Sequence, residues 1–503
     1  MAKQAAGAIG PSVGSLRLRD EAGMKRDLCR PLDSDPTGCS IWQAPSLPGE
    51  ISPMFQVSHL VIVGGGFSGT LLAINLLRYG TMRVTLVERR PERLGKGVAF
   101  GSALPDHILN VRAGNMSAFP DQPGHFAQWL AETSGGSDAS FATRATYGRY
   151  LSALLDKTRA EAGDRLDVID DAAVDIRMTG DGCVVKLASG KMLAADAVAL
   201  APGNLPPHDL PPFRDKAPPL YVSEPWGADI AEGLTPSDKI LLLGTGLTAV
   251  DCAQTLDSAG FRGSILALSR RGLVPHSHAP ATPFPALRER PAAHCAGLVR
   301  TIRQRAEAVG WRRAVDELRP FTQDIWRAAS PVERARFLRH ARPYWDVHRH
   351  RIAPQVAERI AAMQASGRLR IAAGRIIGAR DADQGLIVQW RPRGGEQAQE
   401  IRVARVVNCT GPLADLGRAD DVLLRRLADR GAIRPDALAI GIDTNRQGHA
   451  IARDGSAQER LLVVGPMTRG AHWEIVAVPD IRRHSWDMAR ALTGAQWVEA
   501  EGL

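Results

Sequence analysis

The sequence predicts an α/β fold of two related units, each a parallel sheet flanked by helices, with a helical insertion in the second. Three observations carry this. Two glycine-rich turns, at Gly64 and Gly244, each separate an apolar run from a helical stretch. Each is followed by alternating segments, a buried strand and a terminal glycine. Finally, an arginine-rich stretch interrupts the second unit.

Leu60 to Val63 is a short uncharged run, as expected of a strand covered on both faces. Gly64, Gly66 and Gly69 then follow with the spacing G-x-G-x-x-G, Thr70 to Leu77 is helical in character, and Val84 to Val87 reads as a second strand. Gly64 allows the sharp turn, Gly66 lets backbone approach a pyrophosphate, and Gly69 lets helix and strand pack closely. Phe67 and Ser68 lie at the start of the helix, whose unpaired N–H groups attract phosphate. Glu88 ends the second strand 22 residues after Gly66, where a carboxylate accepts ribose hydroxyls, with Arg89 beside it. This is a Rossmann-like dinucleotide site.

Residues 1 to 56 have no sustained period and are expected to be disordered. Met54 stands just before the first strand, so translation beginning there is one expectation. From Pro91 to Trp129 turn residues dominate, and such a long irregular loop is more often functional than empty. A helix is expected over 142–162. Residues 165 to 203 read as a small antiparallel meander followed by a buried strand, ending in Ala201-Pro-Gly203.

The plan then repeats. Lys239 to Leu243 is a strand, Gly244-x-Gly246-x-x-Ala249 is the turn with Thr248 inside it, and Ser264 to Leu268 is the next strand. Leu369 to Ile377, Leu386 to Trp390 and Arg405 to Gly411 echo the first meander and its closing glycine, with Thr410 beside Gly411. Where the first copy has Glu88, the second has Arg270 and Arg271. Arginines bind a 2′-phosphate that a carboxylate repels, each charge-assisted bond contributing ~1.5–3 kcal/mol, which favours NADP(H) over NAD. Two three-layer ββα Rossmann-like domains are therefore expected. The first comprises 57–221 and 412–503; the second comprises 222–411, with its helical insert at about 276–353.

Composition bounds the rest. Six scattered cysteines (Cys29, Cys39, Cys183, Cys252, Cys295, Cys409) without C-x-x-C argue against a disulfide framework, a zinc site and a redox-active dithiol. No apolar run approaches ~18 residues, so no membrane span is expected, and no secretory signal is evident. A cytoplasmic protein is expected. The net charge is +9, and the stretch from Arg288 to Ala353 holds 15 arginines against 7 acids. That excess is either a solvated surface or a field drawing in anions such as NADPH or an acidic substrate. No nucleic-acid-binding motif accompanies it. His276, His278, His340, His348 and His350 lack a carboxylate partner at metal-ligand spacing and read as surface or pocket residues, so no metal is expected.

The ordered set Gly64-x-Gly66-x-x-Gly69 with Glu88, Ala201-Pro-Gly203, Gly244-x-Gly246-x-x-Ala249 with Arg270 and Arg271, Cys409-Thr-Gly411 and Val464-Gly465 resembles the two-dinucleotide-binding flavoproteins. It is similar in particular to a bacterial FAD/NAD(P)-binding family related to flavin-containing and amine N-hydroxylating monooxygenases. The resemblance covers about residues 57 to 490. It implies FAD in the first site and NADP(H) in the second. Asn110-Val-Arg-Ala-Gly-Asn-Met-Ser-Ala-Phe-Pro-Asp121 is similar to the stretch in which an asparagine faces the flavin. That implies Asn110 as the catalytic residue, with Arg112 and Ser117 nearby, and Gly465 and Val478 on the flavin N1 side. The implied activity is oxygenation of a small nucleophile such as an amine through a flavin C4a-hydroperoxide. Two departures stand out: Tyr221-Val-Ser-Glu-Pro-Trp226 lacks the monooxygenase fingerprint histidine, and Pro466 replaces the usual aspartate. An NADPH-dependent reductase and a flavin-binding regulatory or RNA-associated protein therefore remain open. The substrate pocket is expected between the two units and the insert.

Overall fold

The computed structural model describes residues 57–102, 106–279, 287–291 and 295–495. The N-terminal stretch expected to be disordered, Met54 included, lies outside the described residues. In the first half, β1 (His59–Val63), β2 (Arg83–Glu88), β3 (Leu166–Asp170) and β7 (Ala197–Leu200) run parallel, while β4 (Ala173–Met178), β5 (Cys183–Leu187) and β6 (Met192–Ala195) form a separate antiparallel sheet. The second half contains β8 (Tyr221–Val222), β9 (Lys239–Leu243), β10 (Ser264–Ser269), β11 (Leu369–Asp381), β12 (Leu386–Pro392), β13 (Gln399–Val403) and β14 (Arg405–Asn408). Last come β15 (His449–Ile451) and β16 (Ala457–Val463), which return to the first sheet.

The first sheet has the order β15-β16-β7-β1-β2-β3, and the second β13-β12-β11-β10-β9-β14-β8. Leu60 lies between Val84 and Ala197, and Leu241 between Leu266 and Val406, so the central strand of each sheet is paired on both sides. Both central strands are buried on both faces, which is why they lack alternation. The neighbour on the outer side of β7 is β16, from the C-terminal stretch; the equivalent place beside β14 is taken by β8, which precedes β9 in the chain.

One expectation needs correction. Leu166–Asp170 belongs to the parallel sheet, not to the meander, and the meander's third strand is Met192–Ala195. In the first half Asp171 and Ala172 break the chain, Asp171 N–H donating to the Glu88 carbonyl. In the second half one 13-residue strand, β11, does both jobs. It pairs parallel with β10, bulges between Ile376 and Gly378, and continues antiparallel to β12.

Helix Phe67–Tyr79 is buried along nearly its whole length, between the first sheet and helix Val478–Thr493. Arg165 closes its C-terminus by donating to the Gly80 and Leu77 carbonyls at 2.8 and 3.4 Å. The helix expected over 142–162 runs Arg144–Ala162, with Thr143 as its N-cap. The insert leaves the second unit after β10 and returns through helix Pro354–Ala365. Its neck is a parallel bridge between Ser277 and Ile352, with backbone bonds from Ile352 to His276 and from His278 to Ile352, both 3.0 Å. Among its described residues are helices Cys295–Val309, Trp311–Asp316, Thr322–Ala328, Pro331–Arg336 and Arg342–Arg349.

Candidate functional site

The two turns are built alike. Gly64 has φ +109° and Gly244 φ +134°, conformations that disfavour any side chain. A Cβ on Gly64 would overlap the carbonyl of Ala201, and one on Gly244 that of Cys409. Gly64 N–H donates to the Val87 carbonyl at 2.9 Å, and Gly244 N–H to that of Leu268 at 2.8 Å. The helices that follow, Phe67–Tyr79 and Leu247–Ser258, begin at Gly66 and Gly246 with no side-chain cap. Two sets of first-turn N–H groups are thus left for a phosphate.

The copies also differ. A Cβ on Gly69 would overlap the Gly64 carbonyl, whereas Ala249 at the matching position packs in the core. Gly66 faces the backbone of Gly97, while Gly246 faces open space. Glu88 brackets the first turn: its carboxylate accepts from Gly65 N–H at 2.8 Å and from Arg90 N–H at 2.9 Å.

A cavity of about 1480 Å³ lies between the two halves and the insert. Of the sequence-derived candidates, Asn110, Arg112, Gly246, Thr248, Thr410, Gly411 and Val478 line it. The Asn110 carbonyl accepts from His278 Nε2 at 2.9 Å, which ties the loop that carries Asn110 to the insert's neck. Arg112 donates to the Ala139 carbonyl at 2.9 Å and lies over Phe141. Thr410 donates through its hydroxyl to Asn408 Oδ1 at 2.7 Å.

Other candidates are placed differently. Gly64, Gly203, Gly244 and Gly465 shape turns at positive φ, while Gly69 lies in the first turn of helix Phe67–Tyr79. Gly465 lies so close to Ser68 that a Cβ would overlap its hydroxyl, and Phe67 sits in an aromatic cluster with Phe100 and Tyr147. The Ser117 hydroxyl donates at 2.6 Å to the Gln122 carbonyl within its own loop. Arg89 pairs with Asp421 at 3.1 Å. Arg271 donates to the Arg339 carbonyl at 3.1 Å and thus turns toward the insert, leaving Arg270 exposed at the end of β10.

Several groups on the cavity wall, or in contact with residues that line it, have no signature in the motifs. The Arg144–Asp251 pair, 2.8 Å apart and nearly buried, joins the first half's long helix to the helix behind the second glycine turn. Burial pushes the Asp251 carboxyl up, and Arg144 opposes that. Arg351 grips Asp316 with two bonds of 2.8 and 3.0 Å. Glu474, buried and at φ +66°, accepts from Trp345 Nε1 at 2.7 Å and from Arg349 at 3.2 Å. Asp480 is pushed up to about 6 by burial, with Arg319 opposing at 3.8 Å. Trp326 stacks on Trp473, ring centroids 4.5 Å apart, and donates to the Gly470 carbonyl at 2.8 Å. The insert therefore clamps the segment that leads from β16 to the last helix. Of the histidines, His276, His278, His348 and His350 face the cavity, and among the described residues no cluster of three or more potential ligands could hold a metal.

Residues 61–205 match the model of a family described as FAD-NAD(P)-binding. No curated protein sequence matches the chain. Among solved structures, the chain is similar to an ornithine N-hydroxylase from Kutzneria sp. 744 with reduced FAD, NADP+ and L-ornithine (15% identity, TM-score 0.60, 87% of this chain and 99% of that one). A cadaverine monooxygenase bound to FAD, from desferrioxamine biosynthesis in Erwinia amylovora, gives 13% identity and TM-score 0.61 over 88% and 95%. A bacillithiol disulfide reductase from Bacillus cereus gives 11% and 0.52 over 88% and 99%. With the paired glycine turns, these matches give the chain the fold of the two-dinucleotide-binding flavoproteins, with an FAD-NAD(P)-binding domain at residues 61–205.

Proposed function

We propose that the chain is an FAD-dependent, NADPH-using monooxygenase that oxygenates a small-molecule amine. The observation that carries this reading is one large cavity, walled by the Asn110 loop of the first half, the Gly246 turn of the second and the insert. Residues 57–221 and 412–503 are assigned to the FAD half and 222–411 to the NADP half. Gly64, Gly66 and the start of helix Phe67–Tyr79 would hold the FAD pyrophosphate, and Glu88 its ribose. Gly246, Thr248 and the start of helix Leu247–Ser258 would hold NADPH, with Arg270 at its 2′-phosphate.

Bound flavin supplies the redox chemistry with oxygen. The protein's part is placement and shielding. His278 fixes the Asn110 backbone, so that its side-chain amide can hydrogen-bond the reacting centre. The Trp326–Trp473 clamp and the Glu474 network close the far wall against bulk water. A reductase working through its own thiols fits less well, because none of the described residues lining the cavity is a cysteine. Similarity to an ornithine N-hydroxylase and a cadaverine monooxygenase supports the same reading. Four of the insert's arginines, Arg351, Arg305, Arg342 and Arg349, pair with Asp316, Glu317, Asp346 and Glu474.

The test is purified full-length protein, loaded with FAD and supplied with NADPH and a panel of primary amines. Oxygen uptake stimulated by one amine, with a hydroxylated product, is the expected result. NADPH oxidation only with dye or quinone acceptors would establish a reductase instead.

A further inference from the structure

Arg469 is unlike the other arginines of the cavity. It lines the cavity and is 8% exposed, yet its guanidinium makes no hydrogen bond and no ion pair to any described residue. The two acids that act on it are committed elsewhere. Asp346 pairs with Arg342 at 3.3 Å, and Asp436 accepts from the backbone N–H groups of Leu438 and Ile440 at 2.9 and 2.7 Å. A like charge, Arg342, also acts on it, and the Arg342 guanidinium lies over the Trp473 ring.

A buried charge without a partner is costly, and a fold that retains one such cation beside a second, partly exposed one has a site awaiting an anion. The site is also pre-set. Trp326 fixes the carbonyl of Gly470, the residue after Arg469, and a Cβ on Gly470 would overlap the side chain of Asp436. The backbone that carries Arg469 is therefore held from two sides before any ligand arrives.

We propose that Arg469, assisted by Arg342, is an oxyanion anchor that binds a carboxylate on the substrate. The planar guanidinium matches a carboxylate with two parallel bonds, and Arg342 has N–H groups to spare beyond its single contact with Asp346. The anchor sits on the segment clamped by the insert, so the substrate enters with its anionic end toward the insert. This deepens the function proposed above and rests on it only for calling the ligand a substrate; the anion site itself rests on the geometry.

The experiment uses the full-length FAD-loaded protein, with glutarate, inorganic phosphate and NADP+ as probes, and follows binding by thermal shift and isothermal titration. Glutarate should raise the melting temperature of the wild type to a plateau. Arg469→Met should weaken glutarate at least tenfold, Arg469→Lys less, and NADP+ affinity should stay within about twofold in both. If Arg469→Met fails to fold, Arg342→Met carries the same comparison and should weaken glutarate several-fold. Equal glutarate response in wild type and variants overturns the proposal. So does a selective loss of NADP+ or phosphate binding, which would give Arg469 to the nucleotide. Because these readouts need no turnover, failure to oxygenate amines would sink the proposed activity while leaving the anchor standing.

Discussion

Gly244 and Gly246 are two residues apart and answer to different constraints. Gly244 is confined by positive φ and the Cys409 carbonyl; Gly246 has ordinary φ and nothing in front of it. Gly244→Ala should therefore destabilise the protein, by about 1–3 kcal/mol from backbone strain alone, read as a fall in urea midpoint. Gly246→Ala should fold with an unchanged midpoint and lose NADP+ affinity, read by titration, because only the approaching nucleotide needs that space. Such glycines are legible in a sequence because their constraint is local and falls at fixed spacing. Arg469 and Glu474 were not legible, since burial and lost partners arise only when distant segments meet. Adjacency to a motif does not fix where a side chain goes: Arg89 and Arg271 follow the strands next to their glycine turns, and their guanidiniums reach Asp421 and the Arg339 carbonyl.

The last helix, Val478–Thr493, lies on helix Phe67–Tyr79 and carries His484, buried and with its ring 4.6 Å from that of His472. Burial pushes His484 down to about 3 and His472 to about 4, and each also feels a neighbouring cation or imidazole. Both folded values lie below the ordinary 6.5, so the unfolded chain takes up these protons first as pH falls. The stability they allow is complete above about pH 6.5 and is lost on acidification toward pH 4–3, at about 1.4 kcal/mol per pH unit for each histidine. His484→Phe should flatten the acid limb of stability against pH between 6.5 and 4, measured by denaturant titration at each pH. The helices and parallel strands were readable from apolar runs bounded by glycines. The switch of Leu166–Asp170 into the parallel sheet was not, because its alternation suits either sheet and only pairing with β2 decides.

Across the molecule, Arg144–Asp251 ties the halves together and His107 adds a 3.0 Å contact to Thr255. Arg144→Met alone strands a buried carboxyl and should cost about 3–5 kcal/mol, whereas Arg144→Met with Asp251→Leu should recover most of it. Chemical denaturation of the single and double variants checks this. Opening the insert's clamp with Trp326→Ala should leave flavin binding intact and raise hydrogen peroxide released per NADPH several-fold, read by a peroxide assay. The two-unit plan was visible in the sequence because the repeated motif fixes each unit; the clamp depends on tryptophans 147 positions apart and has no sequence pattern.

The bridge at Ser277 and Ile352 gives the whole excursion a common doorway, since both ends of a stretch of more than 70 residues meet in adjacent backbone bonds. Closing a segment there costs little more for a long one than for a short one, because the entropy grows only with the logarithm of length. Related chains could thus exchange this segment wholesale, trading one substrate chamber for another while the paired sheets and their nucleotide turns stay as they are.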